Sequence, residues 1–478
     1  MSTSRSHRTS TRHAQPRLRT SAATKASAQP LRLASAVRTL APSPTLDINE
    51  AIAARRAAGR NIIHLGFGEA TMPLHPRLRE ALGAAATRTS YAPVLGIQPL
   101  REAIAGYLTR ERGLDASADR VIVAPGSKPL LYTLLQALDG DLLLPVPSWV
   151  SYAPHARLAG RNVIPVATDP SDFHRLTPKA LAAAHARAQH DGANPRILII
   201  NTPSNPTGGM FAREDVEAMT EWARGANVTI ISDEIYAELA HGWRPHTSPA
   251  TSYPEGTIVT GGLSKGFAAG GWRLGYALLP GGRDGAALLS AMRALASEIW
   301  SSASTPIQEA ATVAFLPDDD LRMHIQRSAR LYGYATARLH ARLTELGVAC
   351  PRPAGGFYLY PDFVPWRTAL AARGVTTGQE LARYLLDEWD VATLPGIAFG
   401  DAPDALRLRL ATSLLFQPDG ASSPEQREAG QWSLLARADT LDSANSHDAE
   451  PAIPLPMLAR AEQRFAEFVA ALGSADAG

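Results

Sequence analysis

From about residue 46 to residue 279 the chain alternates stretches of helical apolar spacing with short runs that are apolar at nearly every position. Helical spacing marks 47–58, 98–112, 128–138, 149–159 and 213–224. Strand-like runs fall at 62–65, 120–124, 142–144, 163–166, 196–200, 228–231, 257–260 and 274–279. Runs apolar at every position suit strands covered on both faces, and strands alternating with helices pack as a parallel sheet between helical layers. The pattern predicts an α/β fold whose large domain carries a mostly parallel mixed sheet flanked by helices. After Pro306 the chain turns helix-rich, with a long helix near 321–346. Strands near 356–360 and 406–411 predict a second, smaller α+β domain.

Length and composition permit this architecture. The 478 residues, 45% hydrophobic and 19% charged, are enough for two domains with a substantial core. No run of 18 apolar residues occurs, so no membrane span is expected. The net charge of +2 hides a split: residues 1–40 hold eight Lys/Arg and no acid, which leaves the remainder net acidic. No basic stripe crosses the body, so nucleic acid is not an expected partner. The single cysteine, Cys350, cannot close an internal disulfide, which fits a reducing, cytoplasmic setting. Residues 1–42 read as a disordered basic extension; the same Ser- and Arg-rich, acid-free composition also fits an organelle transit peptide. Residues 417–455, polar and irregular, read as a disordered insertion before a last amphipathic helix at 457–472. No Cys/His cluster suggests a metal site.

Lysine supplies the chemical clue. The chain has four lysines (Lys25, Lys128, Lys179 and Lys265) against 43 arginines. Lys265 lies in Gly262-Leu263-Ser264-Lys265-Gly266-Phe267, followed by Gly271-Trp272-Arg273-Leu274-Gly275-Tyr276. A guanidinium stays protonated, whereas an amine can lose its proton and condense with an aldehyde. Four further motifs fall at strand ends, where open α/β sheets bind ligands. Ala124-Pro125-Gly126-Ser127-Lys128 offers backbone N–H groups at a helix start to an anion. Pro147-Ser148-Trp149-Val150-Ser151-Tyr152 places an indole where it can stack on a planar ring. Asn201-Thr202-Pro203-Ser204-Asn205-Pro206-Thr207-Gly208 is a rigid loop that can fix the Asn205 amide. Ser232-Asp233-Glu234-Ile235-Tyr236 puts an acid at the end of a buried strand, a costly position without a cationic partner. Each motif alone has an ordinary structural reading; together they describe a site for pyridoxal 5′-phosphate.

On these motifs, residues 43–415 resemble a fold-type I, class I/II aminotransferase of the aspartate/prephenate branch. Gly66-Phe67-Gly68-Glu69, Tyr91, Gly355-Gly356-Phe357-Tyr358, Pro395-Gly396-Ile397-Ala398-Phe399-Gly400 and Arg407 before Ala411-Thr412-Ser413 extend the likeness. The resemblance implies that Lys265 holds the cofactor as a Schiff base and moves a proton during catalysis. It pairs Asp233 with the pyridine nitrogen and directs Asn205 and Tyr236 to the ring's phenolic oxygen. Trp149 stacks on the ring, Ser127 and Arg273 hold the phosphate, and Tyr91 reaches the phosphate of a neighbouring subunit, which implies a homodimer. Arg407 grips the substrate α-carboxylate, and Gly68 touches substrate through its backbone. Lys128 resembles the group that reads a distal carboxylate, which leans the substrate toward aspartate-, glutamate- or prephenate-like acids. The implied reaction is a ping-pong transfer of an amino group between an amino acid and a 2-oxo acid. The implied division is 43–72 in the small domain, 73–305 as the cofactor domain, and 306–478 as an interdomain helix plus the C-terminal small domain.

Two positions depart from the family pattern. Gly262 stands three residues before the lysine, where a serine is common. Ala70-Thr71-Met72-Pro73 replaces the usual Pro-Asp-Phe at the substrate mouth. C–S lyases and related eliminating enzymes share the cofactor residues and remain an alternative. A remoter one is a serine hydrolase, because Gly262-Leu263-Ser264-Lys265-Gly266 also fits a nucleophile elbow at Ser264.

Overall fold

A computed structural model describes residues 31–38, 40, 44–416, 423–441 and 453–473. Most of the expected N-terminal extension, and residues 417–422 and 442–452 of the expected insertion, lie outside the described residues. The described part of the extension includes one helical turn, Ser35–Arg38.

The runs of consecutive aliphatic residues form one seven-stranded sheet. Its strands are β1 (Val121–Ala124), β2 (Asp141–Val146), β3 (Val163–Ala167), β4 (Pro195–Asn201), β5 (Thr229–Asp233), β6 (Thr257–Gly262) and β7 (Gly275–Leu278), in the spatial order β1-β7-β6-β5-β4-β2-β3. Strand β7 pairs antiparallel with both β1 and β6; the other pairings are parallel. Alternate residues serve opposite faces: Ile197 and Ile199 of β4 pack in one core, Leu198 and Ile200 in another. All four are at most 2% exposed, so neither face meets water, and the apolar run needs no polar alternation.

In register, β4 and β5 run side by side from Ile197↔Thr229 to Asn201↔Asp233, and β5 pairs with β6 up to Asp233↔Thr260. Three polar residues therefore reach the same edge of the sheet together. The loops that follow carry Asn205, Tyr236 and Lys265, and helix α1 (Ser127–Ala137) begins at the end of β1 beside them. A second core gathers the long helix α2 (Asp319–Glu345), helix α4 (Pro456–Leu472), and a three-stranded antiparallel sheet of Leu394–Pro395, Leu408–Ala411 and Tyr358–Leu359.

The expected disordered insertion is corrected in part. Helix α3 (Pro424–Arg437) forms within it. The Ser423 side chain accepts from the Gln426 N–H, Pro424 fills the first helical position, and Leu435, Ala438 and Leu441 join the second core. Arg327 and Arg330 of α2 both pair with Asp439 just beyond it. A helix with so few apolar residues has weak sequence periodicity, and tertiary contacts supply most of its stability.

Candidate active site

At the sheet edge a cavity of about 320 Å³ brings together Gly68, Ser127, Lys128, Trp149, Tyr152, Asn205, Asp233, Tyr236, Lys265, Arg273, Tyr358 and Arg409. Nine of the eleven residues singled out in the sequence line it. Tyr91 and Arg407 do not.

Lys265 follows β6 in an irregular loop, with its amine buried against the Tyr236 and Phe357 rings at 5.6 and 5.9 Å. Its Nζ donates to the Gly68 carbonyl at 2.6 Å. Burial, helped by the Arg409 and Arg273 charges and opposed chiefly by Glu69, lowers its pKa to about 8. Burial disfavours the charged ammonium, so near neutrality this amine lies far closer to its nucleophilic form than an exposed lysine.

Asp233 is the last residue of β5. Its Oδ2 accepts from the Tyr152 hydroxyl at 2.8 Å and its Oδ1 from Thr260 Oγ1 at 3.3 Å. Burial nevertheless raises its pKa to about 6. Among the described residues no cation forms an ion pair with it. A protonated ring nitrogen would supply the missing charge.

Ser127 opens α1, preceded by Gly126 at φ +100°. A Cβ at Gly126 would lie 2.4 Å from the Arg273 guanidinium, so glycine lets that side chain reach the helix start. Arg273 itself sits at φ +51° and donates to the Gly270 carbonyl at 2.9 Å. A helix N-terminus with an arginine beside it is a phosphate cradle. Position 262 has no room for the serine of the family pattern: a Cβ there would lie 2.6 Å from the Leu274 carbonyl.

Trp149 packs edge-on against Tyr152 at 5.2 Å, and the Lys128 amine stands 5.0 Å from the Trp149 ring. Burial, with Arg273 adding to it, lowers the Lys128 pKa. The Tyr236 hydroxyl shares a 2.7 Å hydrogen bond with that of Tyr358.

The assignment of the α-carboxylate grip to Arg407 is corrected. Arg407 donates to Asp362 at 2.7 Å and to both oxygens of Asp401 at 2.8 Å, which satisfies its charge outside the cavity. Arg409, two residues on and inside the strand Leu408–Ala411, lines the cavity instead. It is 1% exposed, its Nη1 donates to Asn205 Oδ1 at 3.4 Å, and Nη2 donates to the Gly66 carbonyl. Among the described residues it has no acidic partner, and its buried Nε has no hydrogen bond. A buried guanidinium in that state is a receptor for a carboxylate. The sequence signal was the strand's burial: an arginine at an interior position of Leu408–Ala411, away from the aspartates near 401.

Tyr152 and Tyr358, to which the motifs assign no role, also line the cavity. Tyr91 is 95% exposed and lies outside the cavity. Ser264 lines the cavity, but no helix follows it and no histidine accompanies it there, so the hydrolase alternative has neither its elbow nor its base. Among the described residues no acid/His/Cys group could hold a metal ion, and no helix is long and apolar enough to cross a membrane.

A buried amine, an acid lacking a cation, a phosphate cradle and an unfilled guanidinium fit pyridoxal 5′-phosphate with an amino-acid substrate. Fold and site define a fold-type I pyridoxal-phosphate enzyme. The class I and II aminotransferase family matches residues 60–413. An aspartate aminotransferase of Geobacillus stearothermophilus is 36% identical over 397 residues, covering 80% of this chain and 95% of that protein. An aspartate/prephenate aminotransferase of Cereibacter sphaeroides is 34% identical over 386 residues, covering 78% and 92%. The solved aspartate aminotransferase of Thermus thermophilus with maleate superposes with a TM-score of 0.72 at 30% identity, covering 85% of this chain and 100% of that one. The chain belongs to the class I and II aminotransferases, and it transfers amino groups between amino acids and 2-oxo acids with pyridoxal 5′-phosphate as cofactor.

Proposed function

We propose that this aminotransferase acts on acidic substrates of the aspartate, glutamate or prephenate kind, as a homodimer. The observation that carries the substrate reading is the pair of cations in one cavity: Arg409, buried and without an acid, and Lys128, beside Trp149. Two cations suit a substrate with two carboxylates. The Thermus thermophilus aspartate aminotransferase structure with maleate, a dicarboxylate, supports the same reading.

When bound, the cofactor supplies an aldehyde carbon and a ring that accepts electrons from the substrate Cα. Arg409 takes the α-carboxylate through its planar fork, and Asn205, bonded to it, helps fix that fork. Lys128 receives the distal carboxylate. The Asp233 carboxylate accepts a hydrogen bond from the ring N–H and holds that proton in place, with Tyr152 orienting the carboxylate. Ser127 and Arg273 bind the phosphate, Trp149 covers the ring, and Tyr236 and Asn205 bond the phenolic oxygen. Lys265 Nζ, once released from the cofactor, would take up the proton lost from the substrate Cα, a task suited to an amine whose pKa is lowered to about 8. The net reaction moves the amino group of an amino acid to a 2-oxo acid. Tyr91 extends to the phosphate of the partner's site.

Lys128→Ala tests the substrate reading. KM for aspartate should rise roughly tenfold or more while KM for alanine changes little. Equal changes for both donors contradict the role.

A further inference from the structure

Helix α3 lies beyond residue 413, where the family match ends, and it stands at the substrate mouth. The mouth segment runs from Gly68, which accepts from the Lys265 amine, through Glu69 to Pro73. It is held at several points. Tyr332 OH accepts from the Thr71 and Met72 N–H groups at 2.7 and 3.0 Å, and Thr71 Oγ1 donates to the Ser413 carbonyl at 2.6 Å. His324 Nε2 lies 3.0 Å from the Pro73 carbonyl, and Trp432 of α3 packs on the His324 ring at 5.4 Å. Arg79 and Glu428 join across the same gap at 3.7 Å. The helix is thereby tied to the segment it faces.

Between them lies a cavity of about 450 Å³, lined on one side by residues 69–74 and on the other by Pro424, Arg427, Glu428 and Gln431. Glu69 lines both this cavity and the cofactor cavity. The charges around it are unevenly paired. Arg79 and Glu428 neutralise each other, whereas Glu69 and Arg427 form no ion pair or side-chain hydrogen bond among the described residues. Glu69 is exposed where the two cavities adjoin, so it places a negative charge at the entrance. Arg427 is half-buried on the opposite wall.

We propose that α3 forms the outer wall of the substrate entrance and that Arg427 is a specificity-determining residue, offsetting the Glu69 carboxylate for anionic substrates. The proposal rests on the acidic-substrate reading and adds a determinant outside the cofactor site. Like charges repel an incoming dianion over several ångströms, and an opposed guanidinium cancels that field. The effect acts on substrate capture, so it falls on KM rather than kcat and weakens with salt.

The test uses the cofactor-loaded enzyme with aspartate and 2-oxoglutarate as anionic substrates and alanine as the neutral donor. Arg427→Ala is expected to raise KM for both anionic substrates roughly three- to tenfold, with kcat and the alanine KM within about twofold. Adding Glu69→Gln in the same chain should restore most of the loss. The wild-type aspartate KM should also depend on ionic strength differently from that of the variant. Unchanged KM values, equal changes for charged and neutral substrates, or no rescue by Glu69→Gln overturn the role of Arg427. Lys128→Ala run in parallel separates the two ideas. A selective Lys128 effect with a silent Arg427 removes the wall alone, and a wild-type enzyme that turns over neither dicarboxylate removes both.

Discussion

The Tyr152 hydroxyl donates a 2.8 Å hydrogen bond to Oδ2 of Asp233, at full burial of both side chains. Tyr152 opens the helix after Trp149, and Asp233 closes the central strand β5. The bond ties the face that covers the ring to the acid that holds the ring nitrogen. It also restrains the carboxylate to one orientation before any ligand arrives.

Tyr152→Phe removes the donor and leaves the ring packing intact. A hydrogen bond to a charged group contributes about 1.5–3 kcal/mol, part of which is lost from the cofactor-free protein as well, so cofactor binding should weaken, its dissociation constant rising roughly three- to tenfold. The dissociation constant, read by fluorescence of the reconstituted protein, checks this. A value within twofold of wild type would show that the bond does not serve the cofactor.

Asp233 also sets a pH dependence. Burial raises its pKa from 3.8 to about 6, so the folded, cofactor-free protein holds a proton there that the unfolded chain has already lost. Its unfavourable contribution to stability therefore grows as pH rises from about 4 to about 6, to about 3 kcal/mol at most. A bound ring cation removes that cost. The difference in Tm between cofactor-loaded and cofactor-free protein should widen across this window, and Asp233→Asn should flatten it. A gap that is constant with pH in the wild type contradicts the assignment.

The two neighbouring arginines should behave oppositely. Arg409→Ala strips the buried receptor for the α-carboxylate, a loss of about 2–5 kcal/mol. KM should rise at least thirtyfold for every amino donor, aspartate and alanine alike. Arg407→Ala breaks half-buried ion pairs with Asp362 and Asp401 and should lower Tm with KM nearly unchanged. Steady-state kinetics of both variants decide between them.

That pair also shows where the sequence could be read and where it could not. Uninterrupted aliphatic runs such as Leu142–Leu144 and Val228–Ile231 announced buried strands, and the polar residues just after them announced the site. Arg407, bridged to Asp362 just before the strand, and Arg409, inside it, stand two residues apart, so spacing alone does not rank them; the choice is made by Asp362, from a distant segment, and by Asp401, six residues away, which together occupy Arg407. Helices Pro178–His190 and Gly282–Ile299 went unread because alanine carries them, and alanine gives a weak apolar stripe. Helix α3 has a related reason: its stability comes from packing on α2 and the second core, which its own sequence does not reveal.

Subunit complementation tests the place given to Tyr91. In a mixture of Tyr91→Ala and Lys265→Ala chains, a heterodimer would contain one site with an intact lysine and a tyrosine from its partner. Random pairing then restores about a quarter of wild-type activity from two impaired parents. No recovery after mixing, with dimers present by light scattering, contradicts a shared site.

The account turns most directly on covalent capture at position 265. Borohydride reduction of the cofactor-loaded enzyme, followed by peptide mass mapping, should place a pyridoxyl group on Lys265 and abolish activity. A label on Lys128 or Lys179, or full activity after reduction with Lys265 unmodified, contradicts it.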